Sequence, residues 1–170
     1  MSLQPPTDRG QWIARVVQQF EGPLVRYAQR ITGDLEQARD VAQETFLRLC
    51  RERAATLDGH LAQWLFTVCR RRAIDVRKKE IRMQSLSEAL ADECSSHDAE
   101  PNSVLEQQES AAAIYRLIAR LPENQQEVVR LKFQNGLSYR EISEVTGLTV
   151  TNVGYLLHTA LCSLRAEANK

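Results

Sequence analysis

Residues 136–165, GLSYREISEVTGLTVTNVGYLLHTALCSLR, hold two short amphipathic stretches joined at Gly147, and their spacing predicts a helix-turn-helix. In the first stretch the apolar positions are Leu137, Ile142 and Val145. In the second, Val150, Val153, Leu157, Leu161 and Leu164 recur at steps of three and four, the pattern of a helix with one face buried and the other free to enter a groove. The outward set holds Thr149, Thr151, Asn152, Tyr155 and His158. A helix-turn-helix presents the N-terminal residues of its second helix to base edges, where Asn, Thr and His donate or accept hydrogen bonds. That face carries no Lys or Arg before Arg165, although phosphate neutralisation supplies much of the affinity of DNA binders. This helix alone is therefore expected to bind DNA weakly, and a hairpin that only packs against something stays open at this point.

Working outward from the motif, Ile114, Leu117, Ile118 and Leu121 form a helical stripe. Pro122 then starts a helix carrying Val128, Val129, Leu131 and Phe133, which Asn135-Gly136 closes. The result is a four-helix C-terminal domain, 107–168. Before it, about 84–104, QSLSEALADECSSHDAEPNSV, lacks clear periodicity and is rich in Ser and acid, so 84–106 is expected to be an acidic flexible linker. The N-terminal domain, 11–83, opens with Trp12, Val16, Phe20, Leu24, Tyr27 and Ile31 at helical spacing, and Gly22-Pro23 marks a kink or restart. Gly33-Asp34 ends that helix and opens a second, about 35–53, with Ala38, Val41, Ala42, Thr45, Phe46 and Leu49 along one side. Residues 54–60 connect it to a third, about 61–80, that begins with Leu61, Trp64, Leu65 and Val68. No alternating strand pattern occurs, so the fold class is all-α, in two small helical domains.

The chain has 170 residues, with 22 Lys+Arg against 22 Asp+Glu and no net charge. The charge is unevenly placed. Arg70, Arg71, Arg72, Arg77, Lys78, Lys79 and Arg82 crowd one helix, while Ser85 to Ser110 contains no Lys or Arg and gathers Glu88, Asp92, Glu93, Asp98, Glu100, Glu106 and Glu109. A basic helix followed by an acidic tether points to nucleic acid at the first and a basic surface or channel at the second. Neither a membrane span nor a signal peptide is indicated, so a cytoplasmic protein is expected. Cys50, Cys69, Cys94 and Cys162 show no metal or disulfide spacing, and Cys50 and Cys69 lie on helical patterns as packing residues. His60, His97 and His158 are scattered, and no nucleophile elbow or phosphate loop occurs. No catalytic residue, metal or cofactor is expected, and the chain is not expected to be an enzyme.

The order DVAQETF, then WLFTVCRRRAID with basic residues after it, then a linker, then LPENQQEVVRLKFQNGLSYREISEVTGLT, resembles the extracytoplasmic-function sigma factors of bacterial RNA polymerase, of the sigma-70 family. The resemblance runs from about 11 to 166. It implies a non-catalytic subunit that docks on core RNA polymerase, directs promoter-specific initiation and helps melt promoter DNA. In DVAQETF it assigns Asp40, Gln43, Glu44 and Phe46 to the polymerase clamp. Asp40, Gln43 and Glu44 also fall at i, i+3 and i+4, a polar face suited to a basic partner helix, though a merely solvated face has the same pattern and Phe46 also suits a core. For the promoter element near the start site (−10), it implies contacts by Arg70, Arg71, Arg72, Arg77 and Lys78, and by Thr56, Asp58 and His60 in a loop that holds a flipped base. Arg70 and Arg77, Arg71 and Lys78, and Arg72 and Lys79 are each seven residues apart, giving three basic columns. Trp64 suits either base stacking or, better, core packing. The upstream element (−35) falls to Thr149, Thr151, Asn152, Tyr155 and His158, with Arg140 and Arg165 as the basic members. The linker is expected to thread the enzyme's basic interior.

The chain departs from the family pattern at several places. Arg71 stands where Asn is usual beside the base pocket, and Arg39 where an acid often precedes Asp40. Asn152-Val153-Gly154 replaces Thr, Val and a basic residue, while Leu156 and Thr159 each replace a frequent Arg. These changes imply an unusual upstream element or a weakened DNA reader. Arg39 raises a further expectation, that docking depends on negative charge supplied by a regulatory kinase at Thr45 or Thr56. An anti-sigma factor is a further expected partner. Two other functions fit parts of the pattern: a regulator that binds an operator through 136–165 as a dimer, and a module that only sequesters a partner. DVAQETF is superfluous to the first, and the basic columns to the second.

Overall fold

The computed structural model describes residues 9–88 and 114–168. They fall into two compact units that divide between Ala99 and Glu100, and no strand occurs among the described residues. In the first unit α1 spans Arg9–Thr32, α2 Leu35–Leu49 and α3 Leu61–Glu88, with a 3₁₀ turn at Ala54–Leu57. α1 runs unbroken through Pro23, so the expected restart is absent. A mid-helix proline costs about 3 kcal/mol. Here it is offset by one buried stripe continuing on both sides, Trp12 and Val16 before it and Leu24, Tyr27 and Ala28 after. Gly33, at φ 81°, ends α1, and the Asp34 carboxylate accepts from the Gln37 N–H at 2.8 Å, capping α2.

α1 packs on α2 and α3, and α2 on α3. α2 buries Ala38, Val41, Ala42, Thr45 and Leu49, with Phe46 half-buried at the edge. α3 departs from the expected register. Leu65 and Cys69 are in the core as expected and Phe66 and Ala73 join them, whereas Leu61, Trp64 and Val68 are half-buried. Cys69 and Ala73 are small enough to bring α3 close, and Phe66 meets Tyr27 edge-on with ring centroids 5.2 Å apart. α3 also continues past 83 to Glu88, because 81–88, IRMQSLSE, contains no Gly or Pro to stop it. Residues 89–113, with Cys94, His97 and most of the acidic tether, lie outside the described residues.

In the second unit α4 covers 114–119, α5 Glu123–Phe133, α6 Tyr139–Thr146 and α7 Val150–Ala168. α5 and α6 pack on α7 and on each other. The core holds Ile118, Leu121, Val128, Val129, Leu131, Leu137, Ile142, Val145, Val153, Leu156, Leu157 and Ala160. Three expected core residues lie outside it: Ile114 is 56% exposed, Phe133 61% and Val150 47%. Leu161 and Leu164 are half-buried. α6 begins with a capping box, in which Ser138 and Glu141 exchange side-chain-to-backbone hydrogen bonds, and it ends on Gly147 in the left-handed region at φ 77°.

Candidate nucleic-acid and partner interfaces

On α2, Asp40 and Gln43 are exposed, while Glu44 is half-buried. Glu44 is not a free docking acid. Its carboxylate accepts two hydrogen bonds from Arg72 on α3, one from Nη2 at 3.0 Å and a second from Nε. The resemblance assigned these two residues to different partners, yet they form one bidentate pair. Arg39 pairs with Glu36 at 2.7 Å on the exposed face of α2, which partly neutralises the unusual positive charge beside Asp40. Thr45 is fully buried and its hydroxyl donates to the Val41 carbonyl at 2.8 Å. A kinase cannot reach it in the folded chain, so of the two threonines only exposed Thr56 remains accessible.

The three basic columns of α3 are unequal. Arg71, Arg77 and Lys78 are exposed, and Arg70 is half-buried; Arg72 is bound to Glu44. Lys79 lines a shallow groove of about 620 Å³ with Gln37, Asp75, Val76, Glu80 and Met83. Trp64, half-buried, is neither the core residue the sequence favours nor a fully presented stacking surface.

The 51–60 connection is pinned at its start and anchored from within. Arg9 Nη2 donates to the carbonyls of Cys50 at 2.6 Å and Glu52 at 2.7 Å, and Leu57 is buried beneath the turn. Thr56, Asp58 and His60 are exposed together on it. The Thr56 hydroxyl donates to the Arg53 carbonyl at 2.7 Å, leaving its lone pairs outward. His60 Nδ1 lies 3.1 Å from the Asp58 carbonyl. A carbonyl only accepts, so Nδ1–H is the donor in this contact. With the Asp58 carboxylate, the loop offers acceptors, which match the exocyclic amine of an unstacked base. Cys50 is exposed at the end of α2 rather than packed; Cys69 is buried, its thiol donating to the Leu24 carbonyl at 3.8 Å. Burial pushes the Cys69 thiol up to about 12.

In the second unit Thr149, Thr151, Asn152, Tyr155 and His158 are exposed on α7, with Arg140 on α6 and Arg165 near the end of α7. Thr149 Oγ1 accepts from the Asn152 N–H at 3.2 Å, so it caps the helix. Leu156 belongs to the core and not to the outward face. Tyr139, at the start of α6, lies against α7 where Gly154 has no side chain: a methyl built there would rest 3.7 Å from the ring. Lys132 Nζ stands 5.4 Å from the centre of the same ring.

Residues 16–83 match Sigma-70 region 2, and residues 111–163 match Sigma-70, region 4. The chain is 34% identical over 151 residues to the ECF RNA polymerase sigma factor SigL of Mycobacterium tuberculosis, covering 84% of this chain and 80% of that protein. The chain belongs to the ECF sigma factors. It is also 27% identical over 164 residues to the RNA polymerase sigma factor YlaC of Bacillus subtilis, covering 93% of this chain and 92% of that one. The solved structure of the sigma factor RpoE in complex with the anti-sigma factor NepR from Bartonella quintana shares the fold, at a TM-score of 0.62 and 18% identity, over 90% of this chain and 94% of that one.

Three features of this sigma factor's surfaces escaped the sequence reading. The Glu44–Arg72 pair joins residues 28 apart, and nothing in a single helical period links them. Tyr139 and Lys132 were not singled out, although Gly154 was a signal, since a glycine inside a helix often marks a close approach. Val150 was assigned to the core because its spacing fits the stripe. No helix among the described residues is long and apolar enough to cross a membrane.

Proposed function

We propose that this sigma factor is a dissociable specificity subunit whose two units divide promoter recognition between them. Its first unit docks on core RNA polymerase through Asp40 and Gln43, with Phe46 at the edge of that face and Glu44 held by Arg72. The same unit meets the downstream element through Arg71, Arg77 and Lys78, with Arg70 beside them, and holds an extruded base at Thr56, Asp58 and His60. The second unit reads the upstream element in duplex form through Thr149, Thr151, Asn152, Tyr155 and His158, with Arg140 and Arg165 near phosphates. The chain performs no covalent chemistry and works in the cytoplasm. The domain limits that go with this reading are 11–83, 84–106 and 107–168.

The observation that supports this most is the first unit's pairing of an exposed cationic helix with an acceptor-lined loop. Phosphate neutralisation and base capture are the two things that promoter melting needs from a protein. An anti-sigma factor is proposed as a regulatory partner, since the RpoE structure of like fold is a complex with one. Run-off transcription with and without bacterial core polymerase tests the proposal. Discrete start sites that require both components support it. Tight specific DNA binding by the chain alone, with no effect of core enzyme, favours an operator-binding regulator instead.

A further inference from the structure

We infer that the upstream element read by α7 is marked by A·T pairs, with Asn152 on adenine and an apolar strip of Val150, Thr151 and Tyr155 on thymine methyl groups. The inference rests on the proposed role of α7 as the duplex-reading helix. In the major groove guanine is most often read by Arg or Lys, bidentate to O6 and N7, adenine by Asn or Gln to N6 and N7, and thymine by apolar contact with its methyl. Gly147 to Leu164 contains neither Arg nor Lys, so the usual guanine reader is missing from the part of the helix that reaches bases. His158 does not replace it: it lies two turns into the helix, and its Nε2 is 3.7 Å from Cys162 Sγ, one turn further on.

The groups that remain have a definite chemistry. The Asn152 side-chain amide is exposed and makes no hydrogen bond among the described residues, so it is available as a donor–acceptor fork. Val150 is 47% exposed and Tyr155 66%, although both are apolar enough to gain from being covered. Thr151 and Tyr155 are four apart and Asn152 and Tyr155 three apart, which places them on one flank of α7. Tyr139 extends this apolar strip: its ring lies beside Gly154, 3.7 Å from where a Cβ would sit.

The test uses the full chain with bacterial core polymerase and a promoter library randomised over the upstream element. In the selected promoter each thymine is replaced by deoxyuridine, which removes only the methyl. Each adenine or guanine is replaced by its 7-deaza analogue, which removes only the N7 acceptor. Loss of a contacted methyl is expected to lower open-complex formation about fourfold. Loss of N7 at one adenine is expected to lower it roughly tenfold, and loss of N7 at guanines to leave it unchanged. Asn152→Ala should abolish the adenine effect, and Tyr155→Ala should weaken the deoxyuridine effect, of which Val150 and Thr151 carry the rest; Asn152 and Tyr155 are exposed, so neither change should lower the melting temperature. A selected element dominated by G·C pairs, or one indifferent to deoxyuridine, overturns the inference while leaving the sigma-factor role intact. No discrete start sites with any library member would overturn both.

Discussion

Glu44 and Arg72 make each other's environment. Their side chains are 43% and 38% exposed, so solvent screening limits the pair to about 1 kcal/mol at most. A double-mutant cycle with Glu44→Ala and Arg72→Ala, followed by urea unfolding, should give a coupling of roughly 0.5–1 kcal/mol; strict additivity would show that the pair contributes nothing. Cys69 gives a second residue-level expectation. Its thiol ionises near 9.0 when exposed and near 12 when buried in the fold. Below pH 9 both states keep the proton. Above it the unfolded chain loses its proton first, so stability falls as pH rises from about 9 toward 12, by at most about 1.4 kcal/mol per pH unit. Cys69→Ala should flatten that alkaline slope in unfolding curves at pH 8 and pH 10. Iodoacetamide should label Cys50 and Cys162 in the folded chain and reach Cys69 only on unfolding.

Among the elements, α6 and α7 offer opposed changes. Ser138→Ala removes half of the capping box and should lower stability by about 1 kcal/mol. Gly154→Ala should raise it by up to about 1 kcal/mol, since helix propensity improves and the added methyl meets Tyr139 at ordinary contact distance. Thermal unfolding of the two variants settles both signs. The helix-turn-helix was legible because its apolar spacing breaks at Gly147, which closes α6; the caps at Ser138, Glu141 and Thr149 are added by the structure. The inward register of α3 was not, because the sequence reading followed large residues, Leu61, Trp64 and Val68. The buried face instead runs through Leu65, Phe66, Cys69 and Ala73, about one residue round the helix from that stripe. On α7 the error had a similar origin. Val150 and Leu156 both fit apolar spacing to some degree, and only contact with α5 and α6 decides which is buried.

For the whole molecule, family, helical class and the existence of two units could be read from the order of the motifs. The surroundings of each surface residue could not, because ion pairs and loop hydrogen bonds form between residues distant in sequence. Electrostatics then give a global test. With core polymerase present, Arg71→Ala combined with Lys78→Ala should flatten the dependence of promoter affinity on salt by about 0.7–0.9 per cation lost. An unchanged slope would place the downstream DNA elsewhere on the molecule. Tyr139 and Gly154 carry a different consequence, one for how such a protein diversifies. Because the tyrosine ring already lies against α7 at position 154, 3.7 Å from where a Cβ would sit, a side chain longer than alanine there is confined to rotamers that clear the ring. Variation at 154 is thereby tied to variation at 139, and the two positions are expected to change together among descendants of this chain.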